Sequence, residues 1–473
     1  MLFKRFYDDN LAQASYLIAC EQTREAIVVD PNLDIAQYVR AAGAERVRIT
    51  NVTETHIHAD FVSGAHALAV ATGAKLHLSA EGAKDWGYTS DALDHAQALR
   101  GGSDISFGSV RLRAVHTPGH TPEHLTFFVS DLERGAEPVG ALTGDFVFVG
   151  DVGRPDLLER AAGAHGSMER SATELFDSIT KFKTRPDHLQ IWPGHGAGSA
   201  CGKSLGSMPQ STLGYEKLFN WAFADMREGE FVRKALEDQP VPPRYFASMK
   251  KVNRTRQPVA APPINPRELD GNDVYSALQN GAIVVDTRSR DNFAAGHIPG
   301  TLNIPSNKSF LNWTGALVPA DSDFYLITEA ESEEAVKALY SELAKIGLTP
   351  NQGFFGRKVF EDWKSRRGKL EQVRQLDAAR LRNAAIDNNV QIVDVRGPDE
   401  WRRGHLPGAM HIPLAALPER IGELNTAAPI VLHCKGGGRA AIAASFLQAR
   451  GITNVSSLVE GYDGWVKRGF EVE

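Results

Sequence analysis

The densest group of potential metal ligands in the 473-residue chain is Thr55-His56-Ile57-His58-Ala59-Asp60. Two imidazoles and a carboxylate lie there within five residues, directly after a β-branched run that predicts a strand. A single histidine is more often structural than functional, but this combination is rare and favours metal binding. Three later segments also place a histidine or carboxylate after a predicted strand, namely His120 in 115–121, Asp145 in 142–145 and His195 in 192–196.

A glycine-rich loop near the C-terminus holds the nucleophile that the sequence favours most, Cys434. This cysteine follows an apolar strand and precedes Lys435, Gly436, Gly437, Gly438 and Arg439. The glycines let successive N–H groups point at one spot, the following helix adds its positive end, and two side chains add charge. Such a cradle stabilises a thiolate or a persulfide, which predicts transfer of sulfane sulfur to a thiol. A buried structural cysteine is the alternative.

The elements that position this loop occur twice. The run Val285-Asp286-Thr287-Arg288 and the later Gly296-His297-Ile298-Pro299-Gly300 recur as 393–396 and 404–408, at a constant offset of 108 residues. A repeat of this length indicates two copies of one domain. Short β-branched runs alternate with amphipathic stretches in each copy, which predicts parallel α/β sheets. In the first copy Thr328 takes the place of the cysteine, with Glu329 and Glu331 beside it, so we expect that copy to be inactive.

The first half of the chain alternates differently, as a hairpin, a helix and then a strand. This order favours a mixed αβ sandwich over a pure dinucleotide-binding fold. We predict a first domain over residues 1–240, a proline-rich linker without regular structure over 241–266, the first copy over 267–370 and the second over 374–473. The overall class is α/β multidomain.

The ligand segments, together with Asp30 at an early strand end, resemble the metallo-β-lactamase fold, an αββα sandwich. Dinuclear members such as glyoxalase II read His-x-His-x-Asp-His, whereas Phe61 stands here at the last position. Phenylalanine cannot ligate a metal, so a two-metal hydrolase is disfavoured. The chain is most similar to the persulfide dioxygenase branch. That resemblance implies one Fe(II) per chain, with zinc as a substitute, held by His56, His120 and Asp145 with positions open for O2 and a substrate sulfur.

Other residues are expected near this metal. The resemblance gives His58, Asp60 and His195 roles in orienting ligands or substrate, or else leaves them as inherited structure. Arg154 is either a structural salt-bridge partner or an anion holder. Cys201 lies in a Gly- and Ser-rich loop with Lys203 available to lower its pKa, and it is a weaker expectation as a sulfur contact. His66, His77, His116 and His124 are expected to be structural, and Cys20 to lie in the core.

The last hundred residues resemble a rhodanese domain, since the Cys-x4-Arg loop is one residue shorter than the Cys-x5-Arg loop of phosphatases. The combined resemblance implies a persulfide dioxygenase coupled to sulfur transfer, with a low-molecular-weight thiol persulfide, O2, and thiosulfate or sulfite as partners. A zinc thioester hydrolase of the glyoxalase II kind with an accessory rhodanese domain is the first alternative. A sulfur-relay protein with a vestigial metal site is the second.

Composition limits the remaining classes. The formal charge of −6 argues against nucleic-acid binding, which needs a basic face. The N-terminus lacks a signal-peptide pattern and no apolar run is long enough for a membrane span, so we expect a cytosolic protein. The three cysteines are far apart and predict no disulfide framework. A homo-oligomer is compatible with the sequence.

Overall fold

The computed structural model describes residues 1–82, 86–163, 165–203, 205–255, 265–330, 332–351, 353–386 and 390–473. The chain divides into two compact units. The first contains the described residues up to Thr255, and the second contains nearly all of those from Asn265 onward. Among the described residues, no helix combines the length and the apolar character that crossing a membrane requires.

The first unit contains two six-stranded mixed sheets. Strands of the first sheet are β1 (Leu2–Asp8), β2 (Gln13–Ala19), β3 (Glu25–Val29), β4 (Arg48–Thr53), β5 (Lys75–Ser79) and β6 (Gln97–Leu99). Strands of the second sheet are β7 (Asp104–Phe107), β8 (Val110–His116), β9 (Leu125–Asp131), β10 (Gly140–Gly144), β11 (Gln190–Pro193) and β12 (Ser211–Thr212). Each sheet keeps chain order from edge to edge, and parallel pairs occur at β3–β4, β4–β5, β5–β6 and β10–β11.

Side-chain alternation along these strands builds two apolar faces per sheet. On β2, Tyr16 and Ile18 pack between the two sheets, while Leu17 and Ala19 face the outer helices. The helices of this unit are α1 (Ile35–Glu45), α2 (Ala65–Thr72), α3 (Ser90–Asp94), α4 (Leu157–Ala162), α5 (Ser167–Phe182), α6 (Leu213–Phe219), α7 (Glu228–Leu236) and α8 (Tyr245–Asn253). Helices α1 and α2 cover the first sheet and α5 and α7 the second. The predicted αββα sandwich is confirmed.

The expectation of an irregular linker over 241–266 is wrong for its first half. Residues 245–253 form α8, whose Tyr245, Phe246 and Met249 are buried. The prolines at 240, 242 and 243 precede this helix, where proline does not break hydrogen bonds. The prediction gave more weight to the prolines than to the spacing of the apolar residues. That apolar spacing indicates the buried face of a helix. The prolines at 258, 262 and 263 lie outside the described residues.

The second unit contains two five-stranded sheets in which every pair is parallel. The first copy has strands β13 (Arg267–Glu268), β14 (Ile283–Asp286), β15 (Leu302–Asn303), β16 (Phe324–Ile327) and β17 (Gly353–Phe355), with helices α9 (Gly271–Gln279), α10 (Arg290–Ala295), α11 (Phe310–Leu317), α12 (Glu333–Lys345) and α13 (Val359–Arg367). The second has β18 (Arg374–Leu376), β19 (Gln391–Asp394), β20 (Met410–His411), β21 (Ile430–His433) and β22 (Val455–Leu458), with α14 (Ala378–Ile386), α15 (Pro398–Arg402), α16 (Leu417–Arg420), α17 (Gly438–Gln448) and α18 (Gly461–Lys467).

Both sheets have the same order, β13-β17-β16-β14-β15 in the first and β18-β22-β21-β19-β20 in the second. The repeated Asp-x-Arg motif is a structural brace in each copy. Arg288 Nη2 lies 2.7 Å from Asp286 Oδ2 and donates to the Gly296 carbonyl at 2.9 Å. Arg396 makes the equivalent bonds to Asp394 at 2.6 Å and to the Gly404 carbonyl at 2.7 Å. The brace ties the end of a central strand to the Gly-His turn, which explains why the two motifs repeat at the same spacing.

Candidate functional site

Three strand-end loops of the first unit converge on one buried point. His56 follows β4, His120 lies between β8 and β9, and Asp145 follows β10. All three side chains are at most 1% exposed, and one potential ligand atom from each lies within 4.8 Å of the others. Asp145 Oδ2 is 3.5 Å from His120 Nε2 and 3.9 Å from His56 Nε2.

Several of these atoms are buried without a hydrogen bond in the part of the chain that the structure describes. They are His56 Nε2 and both carboxylate oxygens of Asp145. Burying an ionised carboxylate without hydrogen bonds costs several kcal/mol, unless a cation compensates it. Two imidazole nitrogens and one carboxylate therefore fit a divalent metal.

Hydrogen bonds to Nδ1 fix how the two histidines face this point. The Thr55 hydroxyl donates to Asp30 Oδ2 at 2.9 Å and contacts His56 Nδ1 at 3.0 Å, and the Arg154 carbonyl lies 3.0 Å from His120 Nδ1. With Nδ1 occupied in this way, Nε2 is left for a metal. Burial lowers the pKa of both histidines well below the ordinary value, and neighbouring histidines lower it further, so both are neutral, as ligation requires.

His58, the second histidine of the motif, is not part of this group of ligand atoms. Its Nε2 lies 3.2 Å from Asp30 Oδ1. Burial opposes its protonation, but Asp30, Glu54 and Asp60 outweigh burial and raise the pKa of His58 to about 9. Phe61 is fully buried and its ring centroid is 4.3 Å from that of His58. Phe61, which stands where dinuclear relatives have the last histidine of the motif, therefore packs on His58. This arrangement is compatible with a single-metal site.

Glycine is required where two of the Pro-Gly-His turns approach their neighbours. Gly119, before His120, has φ of +141°, and a Cβ there would lie 2.5 Å from Leu175 Cβ on α5. A Cβ at Gly194, before His195, would lie 2.8 Å from Asp145 Oδ1. The glycines thus let the backbone approach α5 closely at the first turn and Asp145 closely at the second.

A second group of buried ligand atoms adjoins the first and consists of Asp60, His195 and Cys201. His195 Nε2 lies 3.2 Å from Asp60 Oδ2 and 3.5 Å from Asp145 Oδ1, while its Nδ1 is 3.0 Å from the Ala12 carbonyl. His195 therefore lies between Asp60 and Asp145, and the role of this group in orienting ligands or substrate stays a prediction.

The expectation that Lys203 lowers the pKa of Cys201 is wrong. Lys203 Nζ donates to the carbonyls of Lys234 at 2.5 Å and Glu237 at 2.9 Å. Cys201 is 1% exposed, and burial raises the pKa of its thiol well above the ordinary value, with Asp60 and Asp145 raising it further. The lysine could not have been assigned from sequence proximity, because its partners lie in α7 and just beyond it.

Arg154 is engaged by protein atoms through each of its three guanidinium nitrogens. Nε and Nη2 pair with Asp156 at 2.8 Å, Nη1 donates to the Ala200 carbonyl at 3.1 Å, and Nη2 also reaches the Pro240 carbonyl at 2.6 Å. The side chain is fully buried. Of the two alternatives for this residue, the structural salt bridge agrees with the geometry and the anion holder does not.

Helix α8 supplies site residues that the sequence analysis missed. Asn253 Nδ2 donates to the carbonyls of His58 at 2.8 Å and Phe61 at 2.7 Å, and its Oδ1 accepts from Ser63 N at 3.0 Å. Lys250, also buried, is close enough to lower the pKa of His120. The signal available in the sequence was the apolar spacing of 245, 246 and 249 ahead of these polar residues.

In the second unit, Cys434 lies between β21 and α17. The thiol is 2% exposed, and its carbonyl accepts from Tyr462 N at 2.7 Å. Gly437 has φ of +88° and precedes the helix, so the glycines curl the loop onto the helix N-terminus. The N–H groups of the first helical turn lack partners within the helix and favour a sulfur anion there.

Arg439 contacts Cys434 but does not add a free charge to the loop. Its Nη1 and Nη2 pair with Glu400 at 2.6 and 2.7 Å. Glu400 lies 39 residues earlier in the chain, on α15, and nothing in the sequence around Arg439 predicts this ion pair. Burial alone would lower the pKa of Arg439, but Glu400 outweighs burial and raises it. Lys435 is exposed.

The corresponding place in the first copy lacks a thiol. Thr328 follows β16, and its hydroxyl accepts from Ala330 N at 3.1 Å. Glu329 and Glu333 line a cavity of about 690 Å³ there. Glu331 lies outside the described residues. Acidic side chains thus lie around Thr328, where the second copy has a thiol and a glycine loop, and the inactivity of the first copy stays a prediction.

Comparison with known proteins agrees with this architecture. The model of the metallo-beta-lactamase superfamily matches residues 8–195, and the rhodanese-like domain matches twice, over 270–365 and 377–468. A solved metallo-beta-lactamase from Staphylococcus aureus is 42% identical, with a TM-score of 0.68, and the match covers 75% of this chain and 98% of that one. The chain belongs to the metallo-beta-lactamase superfamily.

Curated relatives of this superfamily member fall into different activity classes. The mitochondrial persulfide dioxygenase ETHE1 of Bos taurus is 28% identical over 41% of this chain and 68% of its own length. The hydroxyacylglutathione hydrolase of Nitrosococcus oceani is 31% identical over 38% of this chain and 61% of its own length. The two domain types indicate an enzyme, and the fusion architecture matches that predicted from the motifs.

Proposed function

We propose that the chain is a mononuclear iron persulfide dioxygenase coupled to a thiosulfate sulfurtransferase. One observation carries the proposal: His56, His120 and Asp145 offer one buried set of ligands, while His58 faces Asp30. Such a two-histidine, one-carboxylate set would hold a single Fe(II) and leave it accessible to O2 and a substrate sulfur. The overall reaction converts a persulfide, O2 and water into a thiol and sulfite.

When bound, Fe(II) in such a set supplies sites where O2 and a substrate sulfur meet and the electrons that activate O2. The residues of the chain orient and enclose that place. The Thr55 hydroxyl and the Arg154 carbonyl fix the orientation of the His56 and His120 rings. Asp60 and His195 border it beside Asp145 Oδ1 and are positioned to orient a polar substrate group. Their burial excludes bulk water from the centre.

At the second site, the Cys434 thiolate attacks the outer sulfur of thiosulfate. An S–S bond forms to the protein, the S–S bond of thiosulfate breaks, and sulfite leaves with the electron pair. An acceptor thiolate then attacks the outer sulfur of the Cys434 persulfide, which releases the Cys434 thiolate and a new persulfide. No net oxidation occurs in this exchange. The helix N-terminus and the glycine loop stabilise the two sulfur anions.

The direct test is O2 consumption. Protein loaded anaerobically with Fe(II) should consume O2 and form sulfite when glutathione persulfide is added, and Asp145→Ala should abolish both. Asp104→Ala is the matched control, since Asp104 pairs with Arg113 on the partly exposed edge of the second sheet. Absence of O2 uptake in protein that retains one iron per chain would refute the dioxygenase.

A zinc thioester hydrolase remains the second candidate because Asp60, His195 and Cys201 form another buried group able to hold a metal. Two adjacent zinc ions would polarise a thioester and activate water. Elemental analysis after growth with either metal separates the two functions. Two zinc ions per chain with hydrolysis of S-lactoylglutathione would favour this candidate, whereas one iron per chain with O2 uptake favours the dioxygenase.

A further inference from the structure

A cavity of about 530 Å³ opens at Cys434, and residues of both rhodanese-like copies line it. The second copy contributes Cys434 and Arg439 among others, and the first contributes Arg290, Asn307 and Trp313. The copies also contact each other behind this cavity, where Asn303 N donates to Ser445 Oγ on α17 at 2.9 Å. A cavity of this size accepts a drug-sized organic molecule and is far larger than thiosulfate needs.

Arg290, the first residue of α10, reaches from the first copy to the active-site loop. Its Nη1 donates to the Gly436 carbonyl at 2.8 Å, and a Cβ at Gly437 would lie 2.6 Å from the same nitrogen. Its ion-pair partner among the described residues is Asp291, whose Oδ1 lies 3.6 Å from Nε and whose side chain is 73% exposed. An exposed contact of this kind contributes little.

The two arginines that line the cavity, Arg439 and Arg290, differ in whether an acidic side chain balances their charge. Arg439 forms two short bonds with Glu400, so its charge is balanced within the second copy. Arg290 has five N–H donors, of which the Gly436 bond uses one. At the offset of 108 residues, Pro398 replaces Arg290 in the second copy, so this arginine is not part of the shared brace.

We propose that the first rhodanese-like copy completes the sulfur-transfer site, with Arg290 binding the anionic group of an organic thiol carrier. The inference rests on the proposed sulfur transfer at Cys434 and assigns the carrier class to that step. The acceptor thiolate attacks the outer sulfur of the Cys434 persulfide while its carboxylate or phosphate pairs with the guanidinium. Trp313 offers an apolar wall for the rest of the carrier. The copy without a cysteine thereby has a binding role.

The test uses two pairs of acceptors, and one member of each pair has anionic groups that the other lacks. The full-length enzyme is first loaded with thiosulfate, and transfer is then measured to coenzyme A and pantetheine, and to glutathione and its diethyl ester. Arg290→Gln should raise KM about tenfold for the member of a pair that has the anionic groups and leave KM for the other member within about twofold. Phosphate carriers are identified by an effect on coenzyme A and carboxylate carriers by an effect on glutathione.

Two further variants separate the charge of Arg290 from its hydrogen bond to the loop that carries Cys434. Arg290→Lys keeps the charge and should restore most of the anionic preference, while Arg366→Gln removes an exposed arginine of the same copy and should change nothing. Equal changes for charged and neutral acceptors, or no change for any, would overturn the role of Arg290. A parent enzyme in which thiosulfate forms no persulfide on Cys434 would overturn the proposed transfer itself.

Discussion

Asn253 offers a way to perturb the metal centre without touching a ligand. The residue lies on α8 and is 3% exposed. It joins three backbone groups of the ligand loop, the carbonyls of His58 and Phe61 and the N–H of Ser63. Replacing it with alanine leaves all three groups buried without a protein partner. We therefore expect Asn253→Ala to loosen the segment that carries His56.

The magnitude follows from the number of groups left unpaired. A buried polar group without a partner costs about 1–3 kcal/mol, and water entering the space left by the amide recovers part of that. Taking about 1 kcal/mol for each group gives about 3 kcal/mol, which corresponds to roughly a hundredfold in the local opening equilibrium. Loss of a residue that supports a ligand loop weakens metal binding by about 10–100-fold.

Hydrogen exchange measures this local opening directly, because peptides covering 54–64 report the loop without requiring the whole chain to unfold in two states. Metal release to a chelator gives the second readout. Asn454→Ala is the matched control. Asn454 Nδ2 also donates to two carbonyls, of Thr426 at 3.0 Å and Ala428 at 2.7 Å, but its side chain is exposed. Its loss should cost under about 1 kcal/mol.

Two results would refute this reasoning. Protection of the 54–64 peptides that changes by less than about threefold in Asn253→Ala would mean that the hydrogen bonds do not hold the loop. A loss of protection that spreads equally through the first unit would mean that the substitution destabilises the sandwich as a whole.

The remaining predictions concern other parts of the chain. Phe61→His supplies a histidine where dinuclear relatives have one, so the metal content should rise from one toward two ions per chain and O2 uptake should fall; elemental analysis that still finds one ion would contradict this. Cys434→Ser should abolish thiosulfate sulfurtransferase activity and leave O2 uptake with added persulfide within about twofold; loss of both in folded protein would contradict separate sites. Burial lowers the pKa of His77 from 6.5 to about 4, so the unfolded chain binds a proton that the folded chain does not, and stability falls as the pH falls through that window. His77→Gln should flatten this fall in urea unfolding, and an unchanged pH dependence would contradict it.

Local patterns predicted much of the architecture because each pattern has a direct structural cause. The position of His56 just after a strand follows from the β-branched run before it. The 108-residue repeat became two sheets of identical order because the Asp-x-Arg brace needs the same strand and turn in each copy. Both features depend on residues that are close together in the chain, so the sequence alone is enough to predict them.

The parts that were missed depend on partners far along the chain. Glu400 forms an ion pair with Arg439, and Lys203 donates to backbone carbonyls of α7 and of the residue after it. The sequence around Arg439 and Lys203 contains neither partner. Asn253 belonged to a segment that proline content marked as a linker. Charge near a reactive group, taken from sequence alone, therefore predicts contact less well than strand-end position does.

The two rhodanese-like copies show how one framework separates into different roles. Both keep the buried brace between a central strand and the Gly-His turn, so both fold alike. They differ in the loop after the fourth strand in chain order, where one has Cys434 in a glycine loop and the other Thr328 beside acidic residues. They differ again at the start of the helix that carries Arg290 in the first copy and Pro398 in the second. Because Arg290 contacts the loop that carries Cys434, the first copy, although it lacks the cysteine, still contributes to the wall of the cavity at Cys434.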